Sequence, residues 1–200
     1  MNFEGLNNFL DFSNGSYYKF FIVIRNKDKN ETSLPIESKE ILIKEWLVSS
    51  FEELQKFKPE MVALADAVNG RVYMTINRKS YIKTLLQMQQ KLHDYVKKWT
   101  NNPEVSSVQT IQKIPRNATS CKETSAKGTK YILIDWDNTE IDKISVFCQY
   151  LSSIIGDLYV FPTKNGFHIV GKRCVDIRSI KLPDFAHIET NGFLLVHWKE

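Results

Sequence analysis

Residues 131–140 read YILIDWDNTE. A greasy run meets Asp135, Trp136 and Asp137, so an apolar strand ends in two carboxylates with a tryptophan between them. Side chains in a strand alternate between faces, which points Asp135 and Asp137 the same way. Two anions side by side repel each other unless something neutralises them. A bound cation is the usual answer, and oxygen ligands of this type suit Mg²⁺ or Mn²⁺. The plainer reading is a turn followed by a helix N-cap, which an Asp-X-Asp-Asn-Thr run also satisfies.

The 200 residues and net charge of +4 fit one domain, or two lobes joined around a shared core. The mild basic excess permits nucleotide or nucleic-acid partners without demanding them. Cys121, Cys148 and Cys174 are odd in number and scattered. They form neither a disulfide framework nor a zinc pattern, which implies a reducing compartment. The longest apolar run, Phe20 to Ile24, is far too short to cross a bilayer. Glu4 and Asp11 precede it, unlike a secretion signal. A cytoplasmic protein without a membrane partner is expected.

Working outward, the sequence predicts an α/β chain of mixed, α+β type. KFFIVIR (19–25), EILIKEWLV (40–48) and RVYMTIN (71–77) read as strands, with a helix as the alternative for the second and a polar loop, NKDKNETS, after the first. Ser50 and Glu53 form a capping-box pattern before FEELQKF, and Pro59 suits the first turn of a further helix to about Val68. Ser80 caps a long helix with Ile82, Leu85, Leu92, Val96 and Trp99 on one stripe and Gln89 as its exception. NNPEVSS breaks it. The boundaries expected are an N-terminal αβ lobe (1–113), a linker (114–129) and a C-terminal lobe (130–200). In the last, strand 130–135 precedes a helix from about Glu140 to Ile155, closed by Gly156. LYVFP and FHIVG form a hairpin around TKNG, a short helix covers about 177–181, and HIET with FLLVHW forms a final hairpin turning at Asn191-Gly192. That order is an antiparallel sheet covered on one face by helices, and it resembles the split βαβ plan of the RNA-recognition fold.

Three further groups join the two acids. His168 follows a glycine turn and can reach the space above the carboxylates, where it and Lys164 could bind phosphate oxygens. Its plainer role is a partly buried strand histidine. A third carboxylate would help to hold two divalent cations, with Asp176, Asp184 and Glu189 as candidates. Asn77, Arg78 and Lys79 lead into the helix N-terminus at Ser80, a combination that favours phosphate. A solvated strand-to-helix loop is the alternative.

Together these motifs resemble the catalytic core of the archaeo-eukaryotic primase superfamily, which includes the primase-polymerases. LIDWD matches its hydrophobic-Asp-hydrophobic-Asp motif at Asp135 and Asp137. PTKNGFH matches its second motif, with Thr163 in the hydroxyl position and His168 as the histidine. DFAHIETNGFLLVH matches its third at Asp184, Leu194 and Leu195, although Val196 stands where the family has a basic residue. The resemblance implies a two-lobed core and metal-dependent nucleotidyl transfer. Asp135, Asp137 and Asp184 would be catalytic and would hold Mg²⁺ or Mn²⁺. His168, Lys164, Thr163 and Arg78 would hold a nucleoside triphosphate. Single-stranded DNA or a primer-template is the implied partner, with a helicase or accessory primase chain beside it. Replication in a phage or mobile element would suit so minimal a core.

Two rival readings use the same residues. ILIDWDNT is also similar to the first motif of haloacid-dehalogenase phosphatases, with Asp135 as nucleophile and Asp137 as acid–base. Thr163 and either Lys172 or Lys181 would then continue the motif set, but only 61 residues follow Thr139 to build a parallel-sheet fold. The other rival is a non-catalytic nucleic-acid-binding module, which would not need Mg²⁺.

Overall fold

A computed structural model describes residues 2–13, 15–25, 40–101, 108–173 and 176–199. The expected loop at 26–33, the break at 102–107 and Cys174 lie outside the described residues. The fold is mixed α+β, with antiparallel sheets and four α-helices among the described residues. None of these helices is long and apolar enough to cross a membrane.

The first sheet is built on β1 (Ser16–Arg25), which lies between β2 (Glu40–Val48) and β3 (Arg71–Thr75). A two-residue strand, β4 (Lys79–Ser80), pairs with the start of β1. Strand alternation gives β1 two different faces. Tyr18, Phe20 and Ile22 enter a core with Leu54, Met61 and Ala65 of α1 (Phe51–Ala67), and Ile24 is buried on the same side of the strand. Tyr17, Lys19, Phe21, Val23 and Arg25 take the opposite face.

The expected break at Pro59 is corrected: α1 runs unbroken through it. Proline removes one helical hydrogen bond, and the fully buried Met61 and Ala65 offset the loss by fixing the next turn in the core. Ser50 does cap α1 by accepting from the Glu53 N–H, while Glu53 reaches back to the N–H of Ser49. Asn69, at φ 48°, ends it in the left-handed conformation.

The second sheet has the order β6-β7-β5-β8. Strand β5 (Tyr131–Trp136) leads through α4 (Ile141–Ile155) to β6 (Leu158–Pro162), and β7 (Phe167–Lys172) inserts between them. That is a split βαβ arrangement. Strand β8 (Ala186–Glu189) closes the other edge. Ile132, Ile134 and Trp136 pack on Ile144, Phe147, Leu151 and Ile155 of α4. Leu133 and Val170, on the opposite face, join the core of the first sheet, together with Phe161 and with Phe3, Leu6 and Phe9 of the N-terminal segment.

Two further expectations are corrected. The stretch expected as a linker from 114 is helical through Ser120, as part of α3 (Val108–Ser120). Pro115 and the small polar residues around it read locally as breakers, yet Ile114 and Ala118 are buried, and α3 packs beside α2 (Tyr81–Asn101). Tertiary burial overrides local propensity here.

The expected final hairpin does not form. Strand β9 (Phe193–His197) pairs with β3 of the first sheet, while β8 pairs with β5 of the second. The chain changes sheets within Thr190–Gly192. Gly192 is needed there, because a Cβ would meet Glu189 Oε2 at 2.5 Å and Leu133 Cβ at 3.2 Å. The short helix expected at 177–181 is a single 3-10 turn, Ile177–Ser179.

Asn77 clasps the two sheets together. Its Nδ2 donates to the carbonyls of Tyr131 and Thr190 at 3.0 and 3.2 Å, and its Oδ1 accepts from the Tyr131 N–H at 2.8 Å. Asn77→Ala is expected to cost about 2–3 kcal/mol, because it leaves partly buried backbone groups unpaired. Urea unfolding measures this, and a loss below about 1 kcal/mol would show that the clasp carries little of the fold.

Candidate active-site cleft

The two sheets leave a cleft of about 400 Å³ between them. The first sheet contributes Phe21, Val23, Arg25, Glu40, Tyr73 and Phe193, and the second contributes Leu133, Asp135, Asp137, His168, His187 and Glu189. Asp135 and Asp137 therefore share one side, as strand alternation predicts. Trp136 points the other way, packed on Phe147 and Phe185 at 4.8 and 4.9 Å between ring centroids. The tryptophan is the core half of the motif and the acids are its cleft half. The turn half of the plainer reading holds: Asn138 Oδ1 accepts from the Glu140 N–H at 2.7 Å. The N-cap half is corrected, because the N-cap of α4 is Glu140 and its side chain makes no capping hydrogen bond.

Register then sets the partners of Asp135. On one side it pairs with His168 of β7, and on the other with His187 of β8. His168 Nε2 lies 3.5 Å from Asp135 Oδ1, and His187 Nε2 lies 3.8 Å from Oδ2 and 3.6 Å from Glu189 Oε1. His168 Nδ1 accepts from the Leu195 N–H at 3.1 Å, so the neutral ring carries its proton on Nε2, facing the acid. Burial, then the charges of His187 and Arg25, push the His168 pKa down to about 4. Burial, then the charge of Asp137, push the Asp135 carboxyl above its ordinary value, against the pull of His187.

The other expected site residues are divided. Glu189 lines the cleft, whereas Asp184 and Asp176 are exposed and do not. Thr163 and Lys164 lie in the β6–β7 turn and do not line the cleft. That turn sits against the end of β5, where a Cβ on Gly166 would come within 1.9 Å of the Trp136 carbonyl oxygen. Close backbone packing therefore accounts for this glycine. Arg78 lies away from the cleft. It pairs with Asp11 and donates to Ser13 Oγ at 2.6 Å and to the Lys127 carbonyl at 3.0 Å. Lys79 is buried, donates to the Cys121 carbonyl at 2.8 Å, and lines a separate small pocket with Lys19 and Lys122.

Sequence reasoning missed Arg25 and His187. Both carried a signal. Arg25 follows Phe21 and Val23 at strand spacing, and His187-Ile188-Glu189 repeats the polar-apolar-polar pattern of Asp135-Trp136-Asp137. Arg25 pairs with Glu40 at 3.6 Å and is the one lysine or arginine among the described residues that line the cleft.

Among the described residues, no group of three or more His, Cys, Asp or Glu side chains converges closely enough to form a metal site. The donor chemistry still fits a hard divalent cation. Asp135, Asp137 and Glu189 offer carboxylate oxygens to one cleft, and burial with the Asp137 and Glu189 charges raises the Asp135 pKa, which His187 and Arg25 offset only in part.

Two substitutions test these electrostatics. With its pKa raised in the fold, ionised Asp135 opposes folding above the carboxylate range, and that penalty fades as pH falls and the group protonates in both states. Without metal at pH 7, Asp135→Asn is expected to melt above the wild type, with the gap closing at low pH. His168 has the opposite sign. Its contribution is complete above pH 6.5 and is lost as pH falls towards 4, on the order of 3 kcal/mol in all. His168→Asn keeps an acceptor for the Leu195 N–H and is expected to flatten that acid limb in pH-dependent urea unfolding. An unchanged limb would assign the acid sensitivity to other groups.

No family model, no curated protein and no solved structure matches this chain. The reading of the cleft rests on its own geometry.

Proposed function

We propose that this chain is a divalent-metal-dependent nucleotidyltransferase with a two-lobed core of the primase-polymerase type. It takes a nucleoside triphosphate and the end of a primer-template or single-stranded DNA. The observation that carries the proposal is the register of β5 against β7, which sets His168 directly opposite Asp135, with Asp137 beside it, in one cleft between two sheets. The cleft volume of about 400 Å³ is in the range of small-ligand sites.

On this reading Asp135 and Asp137 hold Mg²⁺ or Mn²⁺, and Glu189 takes the third position that the sequence motif assigns to Asp184. When bound, the metal activates a hydroxyl nucleophile and neutralises charge on the phosphate under attack. His168 stays neutral and donates its Nε2 proton to a phosphate oxygen. Arg25 supplies positive charge at the cleft, and the exposed face of Phe193 offers a base a stacking surface. The phosphatase reading lacks its scaffold, because β5 is antiparallel to both neighbours.

One observation favours a second reading. Among the described residues the acids do not converge on one point as the ligands of a finished metal site do, which suits a non-catalytic nucleic-acid-binding module.

Millimolar Mn²⁺ separates the two. The nucleotidyltransferase is expected to gain several degrees of melting temperature through mass action, and Asp135→Asn to gain none. With Mn²⁺ and nucleoside triphosphates, the wild type should extend a labelled primer on a template, while Asp135→Asn and Asp137→Asn should not. DNA binding that ignores Mn²⁺, with no extension, would establish the binding module instead. Hydrolysis of a small phosphomonoester that disappears in Asp135→Asn would restore the phosphatase.

A further inference from the structure

Helix α2 is turned inside out. It meets the body through Thr84, which is buried and shares a 2.8 Å hydrogen bond with the Tyr17 hydroxyl, and through the half-buried Gln87, Met88, Lys91 and Tyr95. Its large apolar residues point away. Ile82, Leu85, Leu86, Leu92, Val96 and Trp99 are each 47–67 % exposed. A helix on a globular surface normally turns its apolar stripe to the core, and a contiguous exposed stripe marks an interaction surface.

The spacing of the stripe is regular. Positions 82, 85, 89, 92, 96 and 99 alternate steps of three and four, the a and d pattern of a heptad repeat. Ile82, Gln89 and Val96 fall at a, and Leu85, Leu92 and Trp99 at d. We propose that α2 is a self-association seam, through which two copies of this chain pair as a parallel, in-register, two-stranded coiled coil. The inference is independent of the function proposed for the cleft.

Four features select a second copy as the occupant. Branched Ile82 and Val96 at a, with leucine at two of the three d positions, is the combination that favours parallel dimers. Gln89 sits at the middle a position, where parallel register sets it against its own counterpart and the two amides can bond. Opposite a leucine it would be buried unpaired. The flanking e and g positions, Leu86, His93 and Thr100 with Met88 and Tyr95, hold no lysine, arginine or acid. Lys83, Lys91, Lys97 and Lys98 fall at b and c, so two chains of net charge +4 meet without charge repulsion along the seam. The area also suffices. If the six side chains lose nearly all of the surface they expose, pairing hides roughly 600 Å² per copy and about 1,200 Å² in all, the lower edge of stable specific interfaces.

Sedimentation equilibrium of the whole chain tests the proposal. A reversible monomer–dimer equilibrium is expected up to about 100 μM, with the mass rising towards twice 23.3 kDa. The double variant Leu85→Glu/Leu92→Glu should remain monomeric over the same range, with a melting curve that matches the wild type at concentrations where the wild type is monomeric, since both leucines are exposed. Gln89→Cys should give, under mild oxidation, a disulfide linking position 89 to position 89 of a second copy, identified by peptide mapping apart from Cys121, Cys148 and Cys174. A wild type that stays monomeric overturns the proposal, as does a dimer that survives both glutamates. A dimer with no link between the two positions 89 overturns the parallel register.

Discussion

The crossing at Thr190–Gly192 is the constraint on which the rest of the molecule depends. The pairing of β8 with β5 ends and that of β9 with β3 begins across these three residues, so the two sheets are held at a fixed spacing by their own backbone. Asn77 secures the crossing by bonding both Thr190 and Tyr131, the first residue of β5. The N-terminal segment adds to this joint. Asn2 donates to the carbonyls of Pro162 in the second sheet and Leu195 in the first, and Phe9 packs on Tyr131 and Tyr159 at 4.7 and 5.7 Å. The cleft is the space left where this joint holds the open faces apart.

The same crossing tunes the cleft. The backbone N–H of Leu195, on the strand that changes sheets, determines the tautomer of His168 on the other sheet. His168 is thereby a structural histidine and a cleft histidine at once. Its ring is buried and kept neutral, and its remaining N–H faces Asp135. Asp135 in turn faces two histidines and a second carboxylate, with no lysine or arginine in ion-pair contact among the described residues. The fold holds an unbalanced negative site in partly buried surroundings, an arrangement that costs stability and is characteristic of functional sites.

Apart from Arg25, positive charge gathers away from the cleft. The segment 121–127 offers its carbonyls to Lys79, Lys83, Lys130 and Arg78, so four cations gather around one loop. Burial, together with Lys130 and Lys19, lowers the Lys79 pKa. The chain thus separates its charges, with carboxylates in the cleft and cations against α2 and the loop that follows α3.

How much was legible in the sequence follows from the range over which each signal acts. Alternation within one strand is local, so the shared side of Asp135 and Asp137, the buried face of Trp136 and the β6–β7 turn at TKNG could all be read directly. The apolar stripe of α2 could be read too, but not the direction it faces, because periodicity identifies a face without naming what covers it. The helix over 108–120 was hidden by Pro115 and its polar neighbours, whose local preference yields to the burial of Ile114 and Ala118. The sheet crossing was hidden because Asn191-Gly192 fits a hairpin turn equally well. Which strand edge then receives β9 is decided by pairing with β3, far away in the chain. For the same reason Glu189 rather than Asp184 reached the cleft, and Arg78 went to Asp11. By itself the sequence determined the pattern along each strand and helix. Only the tertiary structure decided which strands became neighbours, since register between distant segments depends on the burial of both faces at once.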